Sequence, residues 1–137
     1  MTLITLRLLF DFGLVVLIWL VQLIIYPTFS QIASTNLVRW HKRYTTNLGF
    51  VVIPLMFGQL GVSIWQVFLD ANLFTITSLF MVVSLWAITF VWFVPLHNAV
   101  ASSAFSERLA EKLVMRNWLR TFLWTLLFVL DIFYLNM

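Results

Sequence analysis

Four long apolar runs dominate the chain, from Leu3 to Tyr26, Leu48 to Leu69, Leu73 to Leu96 and Trp118 to Leu135. A hydrocarbon layer about 30 Å thick needs roughly 17–25 mainly apolar residues per helix, so each run predicts one spanning helix. The expected fold is all-α: an integral membrane four-helix bundle forming a single transmembrane domain over 1–137, with no length left for a soluble domain. The first run could be mistaken for a signal peptide, but it is longer than an h-region and no A-x-A-like site follows it, so it is expected to be a mature helix.

The polar residues between the runs predict helix ends. Pro27 interrupts the first helix, and Ser30, Ser34, Thr35 and Asn36 are candidate N-caps for the second. From about Asn36 to Leu69 only Gly49, Pro54, Gly58 and Gly61 break a helical pattern, a length of about 50 Å at 1.5 Å per residue. The second helix should therefore start in the cytoplasm and enter the membrane near Asn47, with a kink at Pro54 and close packing at Gly58 and Gly61. Ser106 is the expected cap of a fourth helix that is likewise extended into the cytoplasm through a charged amphipathic turn. No internal repeat stands out.

Composition agrees with this pattern: 63% of the 137 residues are hydrophobic and 9% charged, and the mean hydropathy is +1.02, far from a soluble domain. There is no Cys, hence no disulfide, thiolate nucleophile or cysteine metal ligand. Of the basic residues, Arg39, Lys42 and Arg43 follow the first run and Arg108, Lys112, Arg116 and Arg120 follow the third, whereas the second connection holds Asp70 and Asn72. The positive-inside rule then places both termini on the non-cytoplasmic side, and a bacterial inner membrane is the expected location. The net charge of +3 orients the protein and meets lipid headgroups; no basic domain projects to hold nucleic acid.

Ionisable residues inside spans need named partners. Arg7 and Asp11 share a face of the first helix, and Asp131 lies near the outer end of the fourth. They are expected to form a structural ion cluster tying the first helix to the last. A proton or cation path would need further polar residues in line; Gln22, Gln59 and Ser84 are available, without a chain of carboxylates.

The cytoplasmic ends carry the candidate chemistry. Gln22 and Tyr26 share a face of the first helix; His41, Tyr44, Thr45 and Leu48 share one of the second, as do Trp40, Tyr44 and Asn47. Pro95 is expected to stop or bend the third helix and let His97 and Asn98 turn inward, while Asn117, Arg120, Thr121 and Trp124 line the start of the fourth. In a bundle these groups meet at one depth. The bland reading assigns Trp40, Tyr44, Trp92 and Trp118 to aromatic belts and the remaining basic residues to solvated or lipid-facing positions.

The segments "YP" closing the first helix, "W-H-x-x-Y" opening the second, "VPLHN" closing the third and "NWLRTFLW" opening the fourth resemble the four-helix membrane family that includes the fungal anthrone oxygenases. The corresponding residues are Pro27; Trp40 and Tyr44; Pro95 and Asn98; and Asn117 and Arg120. Here Pro95 and Asn98 are one residue further apart than in the family's P-x-N element, and Trp118 follows Asn117 instead of preceding it by four. The resemblance implies an oxygenase-like activity on an aromatic or quinone-like molecule, without metal or flavin. His41 or His97 would be the base that generates an electron-rich carbanion or phenolate. Asn98, Asn117 and Arg120 would hold the oxyanion, and Gln22, Tyr26, Trp40, Tyr44 and Trp124 would contact the substrate.

Three other classes compete. A non-covalent haem or quinone protein would use His41 and His97 as axial ligands or quinone partners. A transporter is disfavoured by the lack of an inverted repeat or broken-helix pair. A non-catalytic structural or accessory subunit needs only the bundle. No H-E-x-x-H, Walker loop, nucleophile elbow or paired-carboxylate motif is present, so metalloprotease, ATPase, serine-hydrolase and glycosidase readings fall away, and no metal site is expected. Oligomeric state is left open.

Overall fold

The structure, a computed structural model, describes residues 1–31, 34–101 and 107–137. Among them four helices, and no strand, are long and apolar enough to cross a membrane: Leu3–Thr28, Asn36–Leu69, Leu73–Asn98 and Leu109–Leu135. The first, α1, joins an α segment Leu3–Leu20, a π-helical turn Val21–Ile25 and a last α turn Tyr26–Thr28, followed by the 3₁₀ turn Phe29–Gln31. Helix α2 is Ser34–Leu69; α3 joins Leu73–Ile88, a second π-helical turn Thr89–Phe93 and Val94–Ala101; α4 is Glu107–Leu135. Helix α1 packs against α2 and α4, and α3 closes the opposite side between the same two neighbours.

Caps mark the ends at one side of the bundle. Thr5 N–H donates to the Thr2 hydroxyl at the start of α1. Between α2 and α3, Asn72 and Thr75 form a capping box, each side chain accepting from the other's backbone N–H, so three residues suffice to reverse the chain.

The surface and the interior are chemically inverted relative to a protein in water. Phe50, Phe68 and Phe80 are 77%, 80% and 72% exposed, while Arg7, Asp11, Gln59, Asn117 and Asp131 are fully buried. Hydrocarbon surroundings favour that arrangement, because polar side chains there must satisfy one another inside the bundle. The interior is layered. A polar layer near Arg7 lies at one end, an apolar layer of Leu14, Ile18, Met56, Val82, Leu85 and Leu127 in the middle, and a second cluster around Tyr26, Phe29, Leu37, Phe93 and Leu113 at the end bearing the exposed Arg39, Lys42, Arg43 and Lys112.

The expected ion cluster is present. Arg7 Nε lies 2.8 Å from Asp131 and 3.5 Å from Asp11. Its Nη1 donates to Gln66 Oε1 at 2.7 Å, and Gln59 donates to Asp11 at 2.6 Å. The cluster thus joins α1, α2 and α4, and Phe74 of α3 covers the guanidinium at 4.9 Å. Gln59, Ser63 and Gln66, at helical spacing, are the face α2 contributes.

Several sequence-based expectations are corrected. The first span ends at Thr28, one residue past Pro27, as expected, whereas Pro95 does not stop its helix, which continues to Ala101; each proline follows a π-helical turn by two residues. A widened turn accommodates both the missing N–H and the ring's clash with the carbonyl four residues back. Asn36 lies inside α2 and does not cap it; Ser106 lies outside the described residues, as do the side chains of Ser30, Ser34, Thr35 and Arg108. Gly58 is a true close approach, since a Cβ there would collide with the Phe10 ring, but nothing lies within 4 Å of the position a Cβ would take at Gly61.

Arg7→Leu leaves two carboxylates buried without a cation and is expected to destabilise the bundle by about 3–5 kcal/mol. Reversible unfolding in mixed micelles measures this, and a loss below about 1 kcal/mol would mean the cluster is not what ties α1 to α4.

Candidate functional site

Arg120 organises the end of the bundle opposite the ion cluster. It is only 8% exposed, although its place in the sequence resembles one more basic topology signal. Its Nε and Nη2 both donate to Asn117 Oδ1, at 3.0 and 2.7 Å. Asn117 in turn donates to Gln22 Oε1 at 2.7 Å, and Gln22 donates to the Val114 carbonyl at 3.2 Å. This α1–α4 network fixes the guanidinium edge-on, while the Phe93 ring stacks beneath it at 3.6 Å.

From Arg120 a hydrogen-bonded chain runs towards the basic rim. Arg120 Nη2 donates to Tyr26 Oη at 3.3 Å. Tyr26 Oη lies 3.1 Å from His97 Nε2, and His97 Nδ1 lies 2.7 Å from His41 Nε2 and 3.4 Å from Tyr44 Oη. Arginine only donates, so Tyr26 accepts from it and has its own proton to give to His97 Nε2. The tautomer of His97 that accepts there carries its proton on Nδ1 and donates it to His41 Nε2. In this ordering Arg120, Tyr26 and His97 each donate to the next, ending at His41. The chain ends at His41 Nδ1, which is buried and has no hydrogen-bond partner in the structure.

These groups form one wall of a cavity of about 670 Å³, within the range of small-molecule sites. Leu17, Ile18, Val21 and Trp124 close its deep end; His41, Tyr44 and Leu48 of α2 face Phe93 and His97 of α3; Lys42 and Asn98 stand at the rim. It reaches along α2 from Val38 to Ile53, about 22 Å at 1.5 Å per residue. Both π-helical turns contribute to the lining, through Val21 and through Thr89 and Phe93. A π-turn shifts the side chains after it by one position, which turns Tyr26 and His97 toward each other. The deep end connects to the ion cluster through Trp124, whose indole N–H donates to Gln59 Oε1 at 3.2 Å. An indole only donates and an amide does not hop a proton, so this link positions the ring and carries no proton between the two ends.

Of the candidate residues, Tyr26, His41, Tyr44, His97, Asn98, Arg120 and Trp124 line the cavity. Gln22 and Asn117 do not line it; they lie behind Arg120 and hold it. Trp40 packs edge-on to Phe29 at 5.2 Å and against Tyr44 at 4.8 Å, supporting the wall from outside. Asn98 is exposed at the rim instead of turning to the bundle axis, and Asn47 is exposed. Ser84 bonds its own helix at the Phe80 carbonyl and joins no polar line. Phe29, Thr89 and Phe93 escaped the sequence reading because each looks like an ordinary residue of an apolar run; the structure alone shows the π-turns that direct Thr89 and Phe93 inward. The His41–His97 geometry also bears on haem. Two imidazoles on opposite faces of a haem iron would hold their nitrogens about 4 Å apart, twice a metal–nitrogen bond of about 2 Å, and these are 2.7 Å apart and bonded to each other.

No protein-family model, curated protein or solved structure matches this chain.

Asn117→Ala strips the guanidinium of its main acceptor and is expected to cost about 1–3 kcal/mol. Because Gln22 acts through the same bond, adding Gln22→Ala should cost clearly less than it does alone, by about 0.5 kcal/mol or more. Strict additivity in a double-mutant cycle would show that the two are not one network.

Proposed function

We propose that this chain is an integral membrane protein with its basic end in the cytoplasm and both termini outside. We further propose that its cavity binds a flat, apolar, hydroxylated aromatic or quinone-like molecule and performs oxygenase-like oxidoreduction on it. One observation supports this reading above the others: an apolar cavity of ligand size with the chain Arg120–Tyr26–His97–His41 along one wall.

The chemistry comes from the order of that chain. A proton taken from the bound molecule by the Tyr26–His97 pair is passed across the His97 ring, from one nitrogen to the other, to His41 and the basic rim. An imidazole suits this, since it accepts at one nitrogen while it donates at the other. The carbanion or phenolate left behind builds charge on an oxygen, which the fixed Arg120 N–H groups stabilise without reorganising. Such an electron-rich species hands an electron to O₂, the oxidant the anthrone-oxygenase resemblance implies. Trp124 and Phe93 supply flat faces deep in the cavity.

Oxygen uptake in the presence of anthrone, with protein in nanodiscs, tests the reaction. Uptake above the uncatalysed background is expected, and His97→Ala should lower kcat/KM by about 10²–10⁴ as a lost acid–base group. Uptake no faster than background, or unchanged in His97→Ala, would defeat the oxygenase reading and favour a non-catalytic membrane subunit.

A further inference from the structure

Among the described residues, no anion answers the buried positive charge of Arg120. Among the described residues its partners are all neutral: the Asn117 amide, the Tyr26 and Thr89 hydroxyls, and the Phe93 ring. The ion pairs among these residues are Arg7 with Asp11 and Arg7 with Asp131, in the layer beyond Trp124. A guanidinium stays charged at any ordinary pH, and burying it with dipoles alone is costly unless an anion joins it. Its contacts are also incomplete. Of five N–H donors, four have acceptors; Nη1 reaches only Thr89, at 3.4 Å, and both residues line the cavity.

A second feature says how the remainder of a ligand lies. The cavity shares Thr45, Gly49 and Ile53 with a groove of about 330 Å³ on the outward face of α2, which continues over Thr46, Phe50 and Pro54. Phe50, Ile53 and Pro54 are exposed and apolar, and Gly49, which borders both spaces, carries no side chain. The groove therefore lies on the surface that lipid chains would cover.

We infer that the cavity takes a lipophilic monoanion: its acidic oxygen, a carboxylate or an ionised phenol or enol, pairs with Arg120, and an apolar tail leaves over Gly49 along the outer face of α2. This rests on the ligand-binding reading of the cavity and narrows its substrate to acidic amphiphiles that enter sideways from the bilayer. Arg120 is then filled in the resting complex, and the hydroxyl end of Tyr26 faces the same acidic group.

A matched pair of probes decides this: anthracene-2-carboxylate and its carboxamide, titrated into protein in nanodiscs of neutral phosphatidylcholine, with energy transfer from tryptophan as the signal. The carboxylate is expected to bind about ten-fold or more tightly than the carboxamide, a preference retained in Arg120→Lys and lost in Arg120→Gln. Equal binding of the two by the unmodified protein overturns the anion while leaving the cavity reading intact, and needs no variant to fold. No saturable binding of either overturns both. A preference that survives Arg120→Gln overturns the assignment to Arg120. For the tail, Thr46→Trp fills the groove without lining the cavity; it should weaken an alkyl-chain derivative of the carboxylate about ten-fold and leave the parent probe within about two-fold. Equal effects on both would overturn the path over Gly49.

Discussion

Every polar side chain in the interior of this bundle has to find its partner inside the bundle, because the surface it would otherwise reach is apolar. That constraint explains why the polar residues are gathered at two levels. At one, a cation and two carboxylates meet, and the amides of Gln66 and Gln59 bond to Arg7 and Asp11. At the other, a cation meets amides, hydroxyls and two imidazoles but, among the described residues, no carboxylate. The first level sets its charges against one another across α1 and α4 and reads as architecture. The second is open to a cavity and short of one negative charge, and it reads as a site.

The two π-turns connect this electrostatic arrangement to the backbone. Each precedes a proline by two residues, in α1 and in α3, the two helices that face each other diagonally. A proline in an α-helix frees a carbonyl and crowds the previous turn; widening that turn relieves the crowding and rotates the residues beyond it. Tyr26 and His97, just past the two π-turns, are brought to 3.1 Å. The prolines thus act through the turns before them, and the pair shapes the cavity.

Much of this was legible in the chain. Four apolar runs gave four helices with ends shifted by a few residues, and the intramembrane charges Arg7, Asp11 and Asp131 found one another because no other partner was within reach. The convergence of Tyr26, His41, Tyr44, His97 and Arg120 followed from their common depth. Rotation about each helix axis was not legible. Depth places Asn98 beside His97, but only the observed helical phase sends one to the rim and the other inward. Gln22 and Asn117 have the polarity of cavity residues, and only the contact between α1 and α4 shows that they hold Arg120 from behind. The π-turns leave no mark in hydropathy, so Thr89 and Phe93 went unread.

The central claim is that the open level of polar residues holds a small molecule. Native mass spectrometry of the protein released directly from its own membranes tests it most directly, comparing the unmodified chain with Val52→Trp, which fills the cavity from its α2 side. An additional small-molecule mass on the unmodified protein, absent from Val52→Trp while the bundle stays folded, is the expected result. An empty protein in both cases, or the same bound mass in both, would contradict the claim.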